Sequence, residues 1–255
     1  MTSVHPAVAS SAQARSAPIV DSFPGRWIGG ACLVLGPLLL LAGAAVRMPF
    51  HFFFPQQLAA FADHPGRITA AYSLYALGHA TLAFAVLTLT GLIWRWNRVW
   101  AAWAGGFAIL GLFTRIFHSG IDHLAFQLVQ VQSLEQATRA VDESYRAFHV
   151  FRYLNGAIMM GWILLAIGAY RSGVLGRARA LALGMMAMVP FGTLKGTEIR
   201  SIGLIGLAIA CIPLGIAILR QGPPLSRRAL RWTVGIIVFD IVFIILSLRF
   251  PSLMN

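Results

Sequence analysis

Long apolar runs alternate with short polar connections along this chain of 255 residues. A helix needs about 20 apolar residues to cross the hydrocarbon core of a bilayer. Seven runs reach or approach that length: residues 27–46, 68–94, 99–118, 149–170, 178–194, 201–219 and 232–248. The fifth and seventh are the shortest, and Lys195 just beyond the fifth can reach back to water and lengthen it. The pattern predicts one all-α domain over residues 27–250, a polytopic membrane bundle of seven transmembrane helices. Residues 1–26, rich in Ala, Ser and Pro with little bulk, read as a disordered tail. Tail and first span together also resemble a secretory signal, with "LAGAAV" offering small residues for cleavage. The apolar run from Trp27 to Val46 is longer than the usual signal core, which favours a retained span.

Composition agrees with a membrane setting. The chain is 58% hydrophobic and 11% charged, against roughly 25% charged in a soluble domain. A net charge of +12 would point to nucleic acid in a soluble protein. Here the basic residues flank apolar runs and no basic stripe with interleaved aromatics appears, so nucleic acid is excluded as a partner. Topology explains the charge instead. With seven spans, eleven basic residues fall on the side of the N-terminus and seven on the other. The positive-inside rule then puts the N-terminus in the cytoplasm and the protein, multi-pass, in the cell membrane. The expected partners are the lipid bilayer, a lipophilic small molecule and further copies of the chain in a homo-oligomer.

No P-loop, dinucleotide fingerprint, HExxH or GxSxG motif occurs, and Cys32 and Cys211 lie far apart inside apolar segments. The chemistry concentrates elsewhere. "RIFHSGIDHLAF", residues 115–126, carries Arg115, His118, Asp122 and His123 at the end of an apolar run. Arg115, His118 and Asp122 have spacing i, i+3, i+7 and share one helix face. Tyr72, Tyr75 and His79 repeat that spacing on the second span, and His149, Arg152 and Asn155 start a third stripe on the fourth. Counting about 1.5 Å per residue puts all three stripes near the outer boundary, with His79 about one turn below it.

Three readings compete for these residues. Charged, Tyr and His residues at span ends are ordinary boundary anchors. A metal would use imidazoles and the Asp122 carboxylate, although His118 and His123 are spaced poorly for one ion unless Gly120 distorts the helix. Haem between His79 and one of His118, His123 or His149 is a further option, without any CxxCH for attachment. Acid–base chemistry needs the fewest coincidences. In that reading His79, His118, Asp122 and His149 are the catalytic acid–base or ligand groups. Arg115 and Arg152 orient them or hold an anion. Asp240, in the middle of the seventh span, is a separate buried acid at a depth where a carboxylate costs ~2.5–3.5 kcal/mol. The metal and cofactor content stays open.

"YRSGVLGRARALALGMMAMV", residues 170–189, followed by "IGLIGLAIACIPLGIAILR", residues 202–220, resembles a broad group of six-span bacterial integral membrane proteins of unknown function. The likeness covers about residues 27–220 and rests on a basic turn that leads into Gly-rich spans. It implies a helical membrane bundle and carries over no functional residue. In size, span count and an acid in the last span the chain is also similar to small seven-span membrane terpene cyclases, by architecture alone. Together these features favour an intramembrane enzyme or binding protein for a lipophilic small molecule, with an outward polar pocket. The rival is a small exporter, immunity protein or proton-coupled carrier in which His79 and Asp240 are proton sites. No inverted repeat is visible, and a dimer would supply the second half.

Overall fold

The computed structural model describes residues 23–51, 54–145, 150–188, 198–221, 224 and 226–249, and their regular structure is entirely helical. The chain divides into two compact units, residues 1–220 and 221–255. The first unit holds α1 (Arg26–Arg47), α2 (Gln56–Asp63), α3 (Pro65–Trp94), α4 (Arg98–Val131), α5 (Leu134–Tyr145), α6 (Phe151–Arg171), α7 (Arg177–Gly184) with a 3-10 turn (Met185–Met188), and α8 (Glu198–Arg220). The second holds α9 (Arg227–Arg249).

Local signals set the helix ends. Pro65 occupies the first turn of α3, where its missing N–H costs nothing. The Asn97 side chain accepts from the Trp100 backbone N–H at 2.8 Å and caps α4. Only three residues separate α3 from α4, so these helices must run antiparallel as neighbours. Gly173, with φ of 74°, takes the left-handed conformation that ends α6.

Among the described residues five helices are long and apolar enough to cross a membrane: α1, α3, α4, most of α6 and most of α8. The protein is therefore an all-α, multi-pass membrane protein. Its outward surface carries Leu35, Leu38, Leu77, Phe84, Trp103, Phe113, Ile163, Ile205 and Ile209, all exposed. Water would not tolerate that much exposed apolar surface, whereas acyl chains solvate it.

Small residues let the helices approach. Gly29, Gly36 and Gly43 of α1 lie against Thr88, Leu82 and Ala71 of α3, in antiparallel order. Gly111 and Gly161 lie backbone to backbone against Ile158 and Ala108 where α4 meets α6, and Gly30 meets Gly215 where α1 meets α8. With α7 packed on both α6 and α8, the helices close into a ring: α1, α3, α4, α6, α7, α8 and back to α1.

Prolines interrupt two of these helices. Pro213 offers no N–H to the carbonyl one turn back and opens the ladder beside it. Arg179 of α7 donates its Nη2 to the neighbouring Ala210 carbonyl at 2.6 Å. The carbonyl that Pro213 itself leaves without a donor is that of Ile209, and Arg179 serves its neighbour from the adjacent helix.

Two expectations change in detail. The third span, expected over 99–118, continues as α4 to Val131, about 50 Å of unbroken helix, and Gly120 does not distort it. Its extra turns are stabilised because Ala125 and Phe126 bury against Leu58 and Phe61 of α2, Ile68 of α3 and Val141 of α5. Phe61 stacks on Phe126 at 4.7 Å between centroids. α2 and α5 thus cap one end of the bundle. Of the fifth expected span, 178–194, the residues through Met188 form α7 and its 3-10 turn, about 20 Å, and residues 189–197 lie outside the described set. The seventh expected span is helical as α9.

Candidate functional site

Most side chains inside the bundle are apolar, and four of the buried charged or titratable ones line α3 and α4, while Arg26 is buried at the start of α1. His79, Arg115, His118 and Asp122 are all buried, as is Arg47 at the end of α1. The two equally spaced stripes predicted on α3 and α4 therefore both face inward. His51, His64 and His123 are exposed.

Contacts between α3 and α4 fix their register. Gly105 lies against Thr90 near one end, and Tyr72 packs edge-on against Phe126 at 4.8 Å near the other. In that antiparallel register His79 stands opposite the turn holding Arg115 and His118, and Tyr75 stands near the level of Asp122. Depth agrees: His79 lies ~22 Å along the axis from Trp94 at the end of α3, and Arg115 lies ~25 Å from Arg98 at the start of α4.

His79 and Arg115 line one cavity in the middle of the ring, together with Gly111 and Leu112 of α4, Ile158 and Trp162 of α6, Met186 and Leu204. Its volume is about 10 Å³, close to the space of one water molecule. An isoprenoid or a haem is far larger. Helical side chains lean toward the N-terminus of their helix. Arg115 accordingly shares the cavity with Gly111 and Leu112, one turn before it. His118 and Asp122 follow in a column further along the same face of α4, toward the capped end.

The His79 ring has a defined tautomer. Its Nδ1 is 2.7 Å from the Tyr75 carbonyl oxygen. A carbonyl only accepts, so Nδ1 carries the hydrogen and the basic lone pair is on Nε2.

Arg47 extends the column toward the capped end. Its guanidinium lies 5.1 Å from the Tyr72 ring and 5.3 Å from the Tyr75 ring, within cation–π reach of both. In the sequence Arg47 counts only as one of the seven basic residues on the side away from the N-terminus. An arginine at a span end and tyrosines on another span carry no sign in the sequence that they meet. Gln57 of α2 was also missed. It is buried, and neither its amide nitrogen nor its amide oxygen has a hydrogen-bond partner.

His149 and the side chain of Arg152 lie outside the described residues. Asp240 lies midway along α9 in the second unit, exposed among exposed apolar side chains. Among the described residues no three His, Cys, Asp or Glu side chains are grouped to hold a metal ion.

The capped end has a second, larger concavity of about 520 Å³ between α2 and α5. Phe54, Ala59 and Leu134 give it apolar walls, and Glu135, Arg139 and Asp142 also line it. Arg139 and Glu135 form an exposed ion pair at 3.3 Å, of little energetic weight.

No protein-family model, curated protein or solved structure matches this chain, so its function is argued from the bundle and its buried column of His, Arg and Asp alone.

Proposed function

We propose that this protein of the cell membrane handles protons at the capped end of its bundle, that this end faces outward, and that it acts as a small proton-coupled carrier. The observation that carries the reading is His79. It is buried deep in a lipid-facing bundle, its Nδ1 hydrogen is engaged by a backbone carbonyl, and it lines a water-sized cavity. An ionisable side chain at such depth is a functional group by default. Imidazole is the side chain that exchanges protons near neutral pH. The next titratable groups toward the capped end, His118 and Asp122, follow on the facing helix, so a proton has steps between the outer layer and the bundle centre. Asp240 of α9 is a second proton site in this reading. The orientation rests on Arg95, Arg98, Arg171 and Arg177, which flank the opposite ends of the spans.

A second reading, the enzyme or binding protein for a lipophilic molecule, draws on the cleft between α2 and α5. Its volume falls in the range of small-molecule sites, roughly 300–1,000 Å³, whereas the cavity at His79 and Arg115 holds one water.

The proton reading is tested in proteoliposomes under an imposed pH gradient, with a pH dye inside. The wild-type protein should pass protons above the level of empty vesicles, and His79→Gln and Asp122→Asn should each return flux to that level. Wild-type flux equal to empty vesicles, with the protein shown to be reconstituted, refutes the proposal. Tight binding of a lipophilic metabolite, lost on Ala59→Trp, would instead favour the cleft.

A further inference from the structure

α9 carries one acid at the middle of an apolar helix. Taken by itself, this helix runs over Arg227–Arg249, about 34 Å, close to the ~30 Å hydrocarbon thickness of a bilayer. Arg227, Arg228 and Arg231 stand at one end and Arg249 at the other. From Trp232 to Leu248 the sequence is apolar apart from Thr233, Asp240 and Ser247. Asp240 lies midway between Arg231 and Arg249, ~14 Å along the axis from each, too far for an ion pair with either. It makes no hydrogen bond or ion pair among the described residues.

A carboxyl at that depth in hydrocarbon needs a polar counterpart. The lipid-facing surface of the first unit presents none. Over residues 28–45 of α1, 77–84 of α3, 106–116 of α4, 160–167 of α6 and 202–217 of α8, every exposed side chain is apolar. A carboxyl can supply its own complement, because when protonated it both donates and accepts. Two copies of one chain share one orientation in a bilayer. A two-fold axis along the membrane normal then sets each residue at the depth of its counterpart, and Asp240 meets Asp240.

The sequence around Asp240 has the spacing of a parallel helix pair. Thr233, Asp240 and Ser247 recur every seven residues, the repeat that keeps one seam facing a partner in a left-handed pair. Ala229, Ile236 and Phe243 stand four residues before each of them and share that face. The Thr233 hydroxyl donates to the Ala229 carbonyl at 3.0 Å within its own helix, and its oxygen still has lone pairs to accept across the seam. We propose that α9 is the association helix of a homodimer: two parallel copies pair along this seam, and their Asp240 carboxyls hydrogen-bond each other at mid-membrane. One chain holds only half of this site. The inference concerns α9 alone and stands or falls independently of proton transfer at His79.

The test uses the full-length protein in liposomes, with Cys32 and Cys211 replaced by Ala. Thr233→Cys puts a thiol on the seam. Gly235→Cys puts one about 200° round the helix at nearly the same depth, at a position where nothing lies within 4 Å of an added Cβ. Oxidation with copper phenanthroline should link the Thr233→Cys protein into a dimer and leave the Gly235→Cys protein monomeric. Association is then followed by energy transfer between copies labelled at the N-terminus with donor or acceptor, as the protein is diluted in lipid. Asp240→Leu should weaken association by about tenfold, the loss of one interhelical hydrogen bond. Asp240→Asn should retain it, since an amide also donates and accepts. Wild-type protein that stays monomeric at high density overturns the proposal. Equal crosslinking at positions 233 and 235, or association of Asp240→Leu equal to the wild type, overturns it as well. A monomer that Asp240→Leu makes less stable to heat puts the partner of the carboxyl within its own chain, which also refutes the dimer.

Discussion

Replacing Gly161 by Ala tests the packing that brings the polar column together. A Cβ built on Gly161 of α6 would stand 2.5 Å from both the Cα and the backbone N of Ala108 on α4. Ordinary contacts between such atoms are about 3.5–4.0 Å. The obstacle is backbone, so no side chain can rotate away, and the two helices must separate by about 1 Å. The neighbouring contact worsens with it, because Gly111 sits against the Ile158 backbone in the same interface. Gly106→Ala provides the control, since nothing lies within 4 Å of a Cβ at that position. Both substitutions gain the same helix propensity, roughly 1 kcal/mol over glycine. Their difference isolates the steric term, about 1–3 kcal/mol of overpacking. The assay is equilibrium unfolding of the purified proteins in mixed micelles, followed by circular dichroism. Gly106→Ala should match or exceed the wild type, and Gly161→Ala should fall below it. Equal stability of the two variants would mean that α4 and α6 do not approach as described.

Two further outcomes follow from the geometry. Arg179→Met removes the donor to the Ala210 carbonyl beside Pro213, and should lower stability by about 1.5 kcal/mol, the low end for a charged hydrogen bond on a partly solvated residue. Thermal unfolding of the two proteins checks it, and no change would show that lipid or water serves that carbonyl equally well. Orientation is checked with single cysteines at two exposed turns, Asp63→Cys beside α2 and Asn97→Cys between α3 and α4, with Cys32 and Cys211 replaced by Ala. A membrane-impermeant maleimide added to intact cells should label position 63 and reach position 97 only after lysis. The reverse pattern inverts the topology.

Hydropathy and helix periodicity are properties of one segment facing one solvent, and they carried much of the fold. The spans that became α1, α3, α4, α6 and α8 were legible from apolar run length, because any segment that enters lipid must satisfy its own backbone. The inward faces of α3 and α4 were also legible, since Tyr75 and His79, and Arg115, His118 and Asp122, repeat at helical spacing and all five are buried. The extension of α4 to Val131 was not. Residues 119–131 are polar enough to read as a connection, and their helix persists because Ala125 and Phe126 are covered by α2 and α5, a contact between segments distant in sequence.

The partners of each polar group were decided only by tertiary structure. Helix spacing says which residues share a face, while the height at which two faces meet depends on interhelical register. Here that register is set by close contacts such as Gly105 on Thr90 and Gly111 on Ile158. The same packing puts Arg47 against Tyr72 and Tyr75, and brings Trp162, Met186 and Leu204 around His79 and Arg115 in a cavity the size of a water molecule. The sequence by itself determined that a polar stripe enters the membrane. Packing decided that its centre is a small cavity shared by His79 and Arg115, because cavity size is what remains after neighbouring helices have closed on one another.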